Sequence, residues 1–147
     1  MPRSIRFYRV NDPYGVFSNF APYPIEIDGT RWPTSEHYFQ AQKFADESHR
    51  EAVRAAGSPM DAARMGRDRS RPLRADWEAV KDDVMNRALV AKFTQHPGPR
   101  STLLDTGDAE LIEHTANDAY WADGGDGSGR NMLGVLLMRV RDELRRR

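Results

Sequence analysis

The feature that most constrains the fold is a series of helix start and stop signals that follows residue 33. Side chains that can cap free helix amides mark four starts: Thr34-Ser35, Ser48 with Glu51, Ser58-Pro59 with Asp61, and Asp76. Glycine or proline then marks the stops: Gly57, Gly66, His96-Pro97-Gly98 and Gly107. A last segment places Leu133, Leu136, Leu137 and Val140 on one helical face. The sequence therefore predicts that helices dominate after residue 33.

Strand signals are short and few. Ile5 and Phe7 alternate with polar neighbours, and the segment from Leu111 to His114 is a further candidate. Between them, Ile25–Ile27 and Thr30–Trp32 flank Asp28-Gly29, a pair that tolerates the positive φ angles of a tight turn. We expect an α+β fold: a helix-rich single domain over residues 1–147 with a small antiparallel sheet near its N-terminal part.

Composition bounds the function. The chain has 147 residues, a formal net charge of zero and 39% hydrophobic residues, which is typical of one soluble domain. A neutral chain is a poor candidate for gripping duplex nucleic acid, which favours a basic excess. The one locally basic stretch, residues 64–74, is interpreted mainly as a solvated loop.

Cysteine is absent, which excludes disulfides, thiolate metal sites and a cysteine nucleophile. The four histidines lie far apart without metal-site spacing, so we expect chemistry that needs no metal or cofactor. No apolar run approaches the roughly 20 residues of a membrane span, and the N-terminus lacks a signal-peptide stretch. We therefore expect a cytoplasmic protein with no membrane partner.

The segment from Thr34 to Phe44 is the first candidate for chemistry. Glu36, Gln40 and Lys43 recur at helical spacing and share a face that Tyr38, Ala41 and Phe44 do not occupy. A carboxylate, an amide and an ammonium together can hold a polyhydroxylated ligand and position a water. The alternative is a solvent-facing stripe with an acidic residue at its usual place in a first helical turn.

The second candidate is the glycine-rich stretch after Tyr120-Trp121. Four glycines lie within residues 124–129, directly before the last helix, so backbone amides there can cradle an anion. The spacing matches neither a P-loop nor an EF-hand. The alternative is a flexible connector capped by Ser128, although Trp121 beside it offers a stacking surface.

A third candidate is the loop Phe17-Ser18-Asn19-Phe20. Ser18 and Asn19 can hydrogen-bond a base or ribose edge while Phe17 stacks on the ligand. We expect Phe20 instead to anchor the loop in the core.

Taken in order, these segments resemble the NADAR family and, within it, its YbiA-like members. The resemblance rests on the following pieces: residues 17–20, 32–44, 62–67, Trp77 with Lys81, residues 91–93, residues 113–118, Tyr120-Trp121, and the glycine stretch into residues 131–134. It covers nearly the whole chain. Ala122 departs from the glycine expected beside the tryptophan.

The resemblance implies an N-glycosidase that hydrolyses the bond between ribose 5-phosphate and an amino-pyrimidine intermediate of riboflavin biosynthesis. Its glutamate matches Glu36, the first choice for catalysis, with Asp123 as the next candidate. Lys43 and Arg67 are then expected to hold phosphate, Trp77 and Trp121 to sandwich the heterocycle, and Asp123 or Asp126 to bind ribose hydroxyls.

Two other functions stay open at this point. One is a glycohydrolase that removes ADP-ribose from guanine bases, with ADP-ribosylated nucleic acid as partner. The other is a non-catalytic module that binds ADP-ribose or a nucleotide. The expected partner is otherwise a small phosphorylated ribosylamino heterocycle, and the sequence predicts no oligomeric state.

Overall fold

The computed structural model describes residues 3–147, and Met1 and Pro2 lie outside the described residues. Its helices, in chain order, are α1 Ser35–Ala41, α2 Glu47–Arg54, α3 Pro59–Arg67, α4 Trp77–Gln95, α5 Pro97–Asp105 and α6 Met132–Arg145. Its strands are β1 Ser4–Phe7, β2 Ile25–Ile27, β3 Thr30–Trp32 and β4 Glu110–Glu113. The predicted helix-rich α+β fold is confirmed.

The chain packs as two compact units. The terminal unit contains the described residues up to Ala21 together with Phe93–Arg147, and the central unit contains Pro22–Lys92. The prediction of one domain over residues 1–147 stays a prediction. No helix among the described residues is long and apolar enough to cross a membrane.

In the central unit, β2 and β3 form the predicted antiparallel hairpin, with Ile25 opposite Trp32. Its turn residues Asp28 and Gly29 have φ angles of 53° and 79°, as a tight two-residue turn requires. The chain then enters α1, which Thr34 caps: its side chain accepts a hydrogen bond from the His37 amide at 3.1 Å. The helix ends at Ala41, earlier than the predicted end near Phe44.

Helices α2 and α3 pack against α1. The predicted start of α2 at Ser48 is wrong, because Asp46 is the capping residue and accepts from the Ser48 amide at 2.8 Å. Ser58 caps α3 as predicted. Gly66 does not stop α3 but lies within its last turn, where it faces α1.

In the terminal unit, β1 pairs with β4 in parallel, with Ile5 opposite Leu111. The sequence predicts both strands but not their pairing, since 102 residues separate Phe7 from Glu110 and no turn signal links them. Helix α6 packs on β4 through its predicted apolar face, and a side chain at Gly134 would overlap the carbonyl oxygen of Leu111. Burial of that face is a main source of stability for this unit.

Candidate active site

The polar face of α1 is buried rather than solvated. Glu36 is 8% exposed and Gln40 is 7% exposed, and they lie one helical turn apart. The Gln40 amide nitrogen donates to a carboxylate oxygen of Glu36 at 2.7 Å. A buried carboxylate is costly unless neighbouring groups compensate its charge. The interpretation of this face as a solvent-facing stripe is therefore wrong.

Lys43 supplies part of that compensation. Burial lowers the pKa of the Lys43 ammonium to about 8, the charge of Glu36 raises it, and Arg69, Arg67 and Lys81 lower it. The Lys43 ammonium therefore interacts electrostatically with the Glu36 carboxylate and with three other cations. Among residues 3–147, its nitrogen has ring contacts but no hydrogen bond or ion pair. The group can donate to a ligand.

The cations around Lys43 differ in how they are held. Arg69 donates to the carbonyl oxygens of Gly66 and Arg67, so it closes the end of α3. The guanidinium of Arg67 is exposed and makes no hydrogen bond or ion pair with any residue of 3–147. Lys81 pairs with Glu78 at 2.7 Å. Arg67 is thus the arginine best placed to meet an anionic ligand.

Two further arginines of the basic stretch, Arg74 and Arg71, make contacts that stabilise the fold. Arg74 donates through its backbone amide to the Lys43 carbonyl at 2.8 Å, and its guanidinium pairs with Asp76. Arg71 contacts the ring of His49 at 2.7 Å. The interpretation of residues 64–74 as a mainly solvated loop fits Arg64 but not these two.

Trp77 lies in the core of the central unit with 5% exposure. Its ring meets Phe39 edge to face at a centroid distance of 5.1 Å, and the Lys43 nitrogen lies 6.0 Å from its centroid. This geometry fits a cation–π contact that orients Lys43 better than the predicted stacking on a heterocycle. Trp77 is the first residue of α4, and its packing in the core accounts for its position.

In the terminal unit, the buried carboxylate of Asp123 organises the glycine-rich loop. One of its oxygens accepts from the amides of Thr115 and Gly125, at 3.1 and 2.8 Å. The other lies 2.7 Å from Nδ1 of His114. Burial raises the pKa of Asp123, but the hydrogen bonds from His114, Gly125 and Thr115 outweigh it and lower the pKa overall.

The sequence interpretation assigned no role to His114, because the four histidines lie far apart without metal-site spacing. Its imidazole is paired with Asp123 and is 42% exposed. The signal that could have revealed this pair is the short spacing of nine residues between them, across a loop that turns back on itself. Such a carboxylate fixes the tautomer of the imidazole.

The predicted anion cradle does not fit the loop's hydrogen bonds. The amides of Gly124 and Gly129 donate to the carbonyls of Asp118 and Asp123. At the start of α6, the amides of Met132 and Leu133 donate to Tyr120 and Trp121. These amides are already satisfied, so the alternative of a connector is the better description.

Ser128 does not cap α6, and that prediction is wrong. It donates to exposed Asp126 through both its amide and its hydroxyl, at 2.9 and 2.6 Å, which closes a local turn. The residue before α6 is Asn131, in a left-handed conformation with φ of 52°. Its side chain accepts from the Glu113 amide and donates to the Leu111 carbonyl, so it ties the loop to β4. Ribose binding by Asp126 stays a prediction.

The aromatic residues before the loop keep part of their surface exposed. Trp121 and Tyr120 are half-buried and meet edge to face at 4.9 Å, and Arg130 lies 5.1 Å from the Tyr120 ring centroid. Stacking of a heterocycle on Trp121 stays a prediction that this exposure permits.

Residues 17–20 begin with the last residue of a 3₁₀ turn, Gly15–Phe17. Phe17, rather than Phe20, anchors this loop in the core. Phe17 is fully buried against Phe7, Tyr14 and Phe93, so its ring is not available for stacking, whereas Phe20 is half-buried. Ser18 and Asn19 are nearly buried, and the Ser18 hydroxyl accepts from the Phe20 amide at 3.1 Å. Their predicted ligand contacts stay predictions.

Comparison with known proteins places these features in a family. Residues 6–145 match the NADAR domain. Over 140 residues the chain is 63% identical to the N-glycosidase YbiA of Escherichia coli K12, covering 95% of this chain and 88% of that protein. It is 45% identical over 144 residues to the riboflavin biosynthesis protein VVA0006 of Vibrio vulnificus, covering 98% of this chain but 39% of that longer protein.

The fold agrees with a solved structure as well. The NMR structure of the Escherichia coli protein YbiA superposes with a TM-score of 0.90 at 61% identity, covering 99% of this chain and 87% of that chain. The match spans both units and every helix described above. The chain belongs to the NADAR domain family, and its sequence is similar to that of the Escherichia coli YbiA protein.

Proposed function

We propose that this chain hydrolyses the bond between ribose 5-phosphate and an amino-pyrimidine intermediate of riboflavin biosynthesis. Its coarser class is a hydrolase that acts on N-glycosyl bonds, in line with the name of its relative at 63% identity. The finer substrate is supported by the name of the Vibrio vulnificus relative, a riboflavin biosynthesis protein.

The observation that carries the proposal is the buried Glu36 carboxylate in the electrostatic field of Lys43. Departure of the heterocycle leaves positive charge on the ribose ring. A carboxylate beside C1 stabilises that charge and can accept a proton from the attacking water. Glu36 is the acidic residue of α1, and its low exposure strengthens its interaction with a developing cation.

The cations near Glu36 suit the other end of such a substrate. Ribose 5-phosphate carries a dianion near neutral pH, and Lys43 and Arg67 both offer donors that no described residue occupies. Arg67 can meet two phosphate oxygens through its planar fork. Lys43 then links the phosphate end to the carboxylate end of the site.

The reaction consumes one water. The bond between C1 and nitrogen breaks with its electron pair on nitrogen, and the water oxygen bonds to C1. One water proton passes to Glu36, and the departing nitrogen takes up one proton from solvent. Glu36 then releases its proton to solvent, so the products are ribose 5-phosphate and the free amine and the carboxylate is restored.

Asp123 is the second acidic candidate, and its contacts favour a different role. Both its oxygens already accept hydrogen bonds from the loop and from His114. We therefore assign Asp123 to holding the loop and the imidazole.

The test is incubation of the purified protein with two substrates, in excess chelator. One is the amino-pyrimidine ribose phosphate, and the other is DNA that carries ADP-ribose on guanine. We expect release of ribose 5-phosphate from the first, with little ADP-ribose from the second. Faster release of ADP-ribose would replace the proposed substrate, and binding of either without product would exclude hydrolysis.

A further inference from the structure

The amide of Gln40 has an arrangement that the assigned reaction does not yet explain. Its nitrogen donates to Glu36 at 2.7 Å, whereas its carbonyl oxygen is buried and has no hydrogen-bond partner among residues 3–147. A buried acceptor without a partner destabilises a fold, and a nonpolar side chain of similar size would avoid that cost. The hydrogen bond to Glu36 is the interaction that a nonpolar side chain at this position could not make.

The orientation of this amide follows from the charge of Glu36. An ionised carboxylate only accepts hydrogen bonds, so the amide nitrogen must face it and the carbonyl must point away. The carbonyl then points at α3, where Gly66 stands opposite. A β-carbon at Gly66 would overlap this oxygen and lie 2.7 Å from the amide carbon of Gln40.

Gly66 therefore makes the space in which the Gln40 amide sits. Its neighbours Met65 and Arg67 carry ordinary side chains, and its backbone has no positive φ angle that would itself call for glycine. The close packing of α3 on α1 at this residue holds the amide in one place.

We propose that Gln40 is a positioning residue that holds the Glu36 carboxylate in its reactive orientation, and that Gly66 provides the space that holds the Gln40 amide. This inference rests on the proposed function, because it assumes that Glu36 is the reacting carboxylate. The hydrogen bond from Gln40 removes rotational freedom from the carboxylate that must face C1. Gln40 acts through Glu36 and needs no contact with the substrate.

The first test is Gln40→Met, which keeps the length of the side chain and removes both polar atoms. We expect kcat to fall about tenfold with KM nearly unchanged, since orientation of the carboxylate affects the transition state more than binding. The unfolding midpoint should change little, because the loss of the donor to Glu36 is offset by removal of the buried unpaired carbonyl. A lower midpoint with unchanged kcat would show a merely structural role and overturn the proposal.

The second test asks whether the effect passes through Glu36. In a Glu36→Gln background, adding Gln40→Met should leave the residual rate unchanged. A further tenfold loss there would overturn the proposal, because Gln40 would then act on its own.

The third test concerns Gly66, with a matched control. Gly66→Ala should lower kcat about as much as Gln40→Met does, and it should lower kcat no further once Gln40 is replaced by alanine. Gly57→Ala is the control, since a β-carbon there meets only a carboxylate oxygen of Asp61 at 3.9 Å. If Gly66→Ala lowered kcat equally with and without Gln40, Gly66 would not act by holding the Gln40 amide. If wild-type protein releases no ribose 5-phosphate, the proposed function fails instead, which is a separate outcome.

Discussion

The central and terminal units each bury a carboxylate that the sequence singles out, and they treat it differently. Glu36 accepts a hydrogen bond from a side-chain amide one turn along its own helix and lies in the field of Lys43. Asp123 accepts from two backbone amides of its own loop and from His114. Both carboxylates are nearly inaccessible, with exposures of 8% and 6%.

The difference distinguishes the carboxylate that anchors the backbone, Asp123, from the one that we propose to react, Glu36. Backbone amides are fixed, so a carboxylate that satisfies them shapes the chain, and its removal leaves orphan donors. Glu36 instead accepts from a side-chain amide and carries its charge close enough to Lys43 to raise the pKa of that ammonium, which is the setting we propose for a carboxylate that acts on a ligand. Burial alone does not distinguish the two.

The largest expected effect is on Glu36. Glu36→Gln keeps the shape of the side chain but removes the charge that opposes the developing cation. We expect kcat to fall on the order of a hundredfold or more, with KM and the unfolding midpoint little changed. Near wild-type turnover would make Asp123 the next catalytic candidate. Steady-state kinetics and thermal unfolding measure both quantities.

The second effect tests the anchoring role. Asp123→Ala leaves the amides of Thr115 and Gly125 without their acceptor, so the free energy of unfolding should fall by about 1–3 kcal/mol. Exposed Asp108→Ala is the control and should change it by less than about 1 kcal/mol. Loss of turnover at unchanged stability would instead assign Asp123 to catalysis and erase the contrast with Glu36. Chemical denaturation gives the free energies.

A smaller effect concerns Lys43 and pH. Its pKa of about 8 means that the ammonium loses its charge as pH rises through 8, and its attraction for phosphate goes with it. We expect kcat/KM to fall several-fold between pH 7 and 9, and Lys43→Arg to flatten this decline because arginine stays charged. An equally steep decline in Lys43→Arg would exclude Lys43 as its source.

The same titration affects stability in the opposite sense. The folded pKa lies below the ordinary lysine value of 10.5, so between about 8 and 10.5 the unfolded chain binds the proton more tightly. The free-energy cost of burying the charged Lys43 ammonium is fully present below about pH 8 and decreases as pH rises toward 10.5. Stability from Lys43 should therefore increase in the window where substrate affinity declines, which unfolding curves across that range can measure.

The smallest expected effect is on Asp126. Asn at this position still accepts from Ser128, so Asp126→Asn should leave the unfolding midpoint unchanged. We expect KM to change less than about twofold, since this residue is exposed and closes a local turn. A large rise in KM would show that Asp126 binds ribose and that the loop, like α1, contributes a ligand contact.

Much of the secondary structure was readable because its signals are local. Thr34 and Ser58 cap helices by bonds that span three residues, and Asp28-Gly29 sets its own turn. The apolar face of α6 follows the helical period. Where two local signals competed, as with Asp46 and Ser48 at the start of α2, the sequence interpretation chose the wrong one.

The site was readable only in part. The face that contains Glu36, Gln40 and Lys43 follows from helical spacing, and the family resemblance ranked Glu36 first. Spacing cannot tell whether such a face is buried, because that depends on other elements packing over it, as α3 does at Gly66. The pairing of His114 with Asp123 and the burial of Phe17 likewise depend on contacts that sequence distance does not encode.

By itself, the sequence determined the helices, the hairpin, the family and the order of polar residues on α1, because each depends on neighbours within a few positions or on residue identity. The tertiary structure decided the parallel pairing of β1 with β4 and the packing of the Gln40 amide against Gly66. It also decided the hydrogen bonds by which Asp123 anchors its loop. These features join residues that are distant along the chain or depend on how loops turn back. The contacts in these features stabilise the fold only when the packed elements exclude water and bring donors and acceptors together.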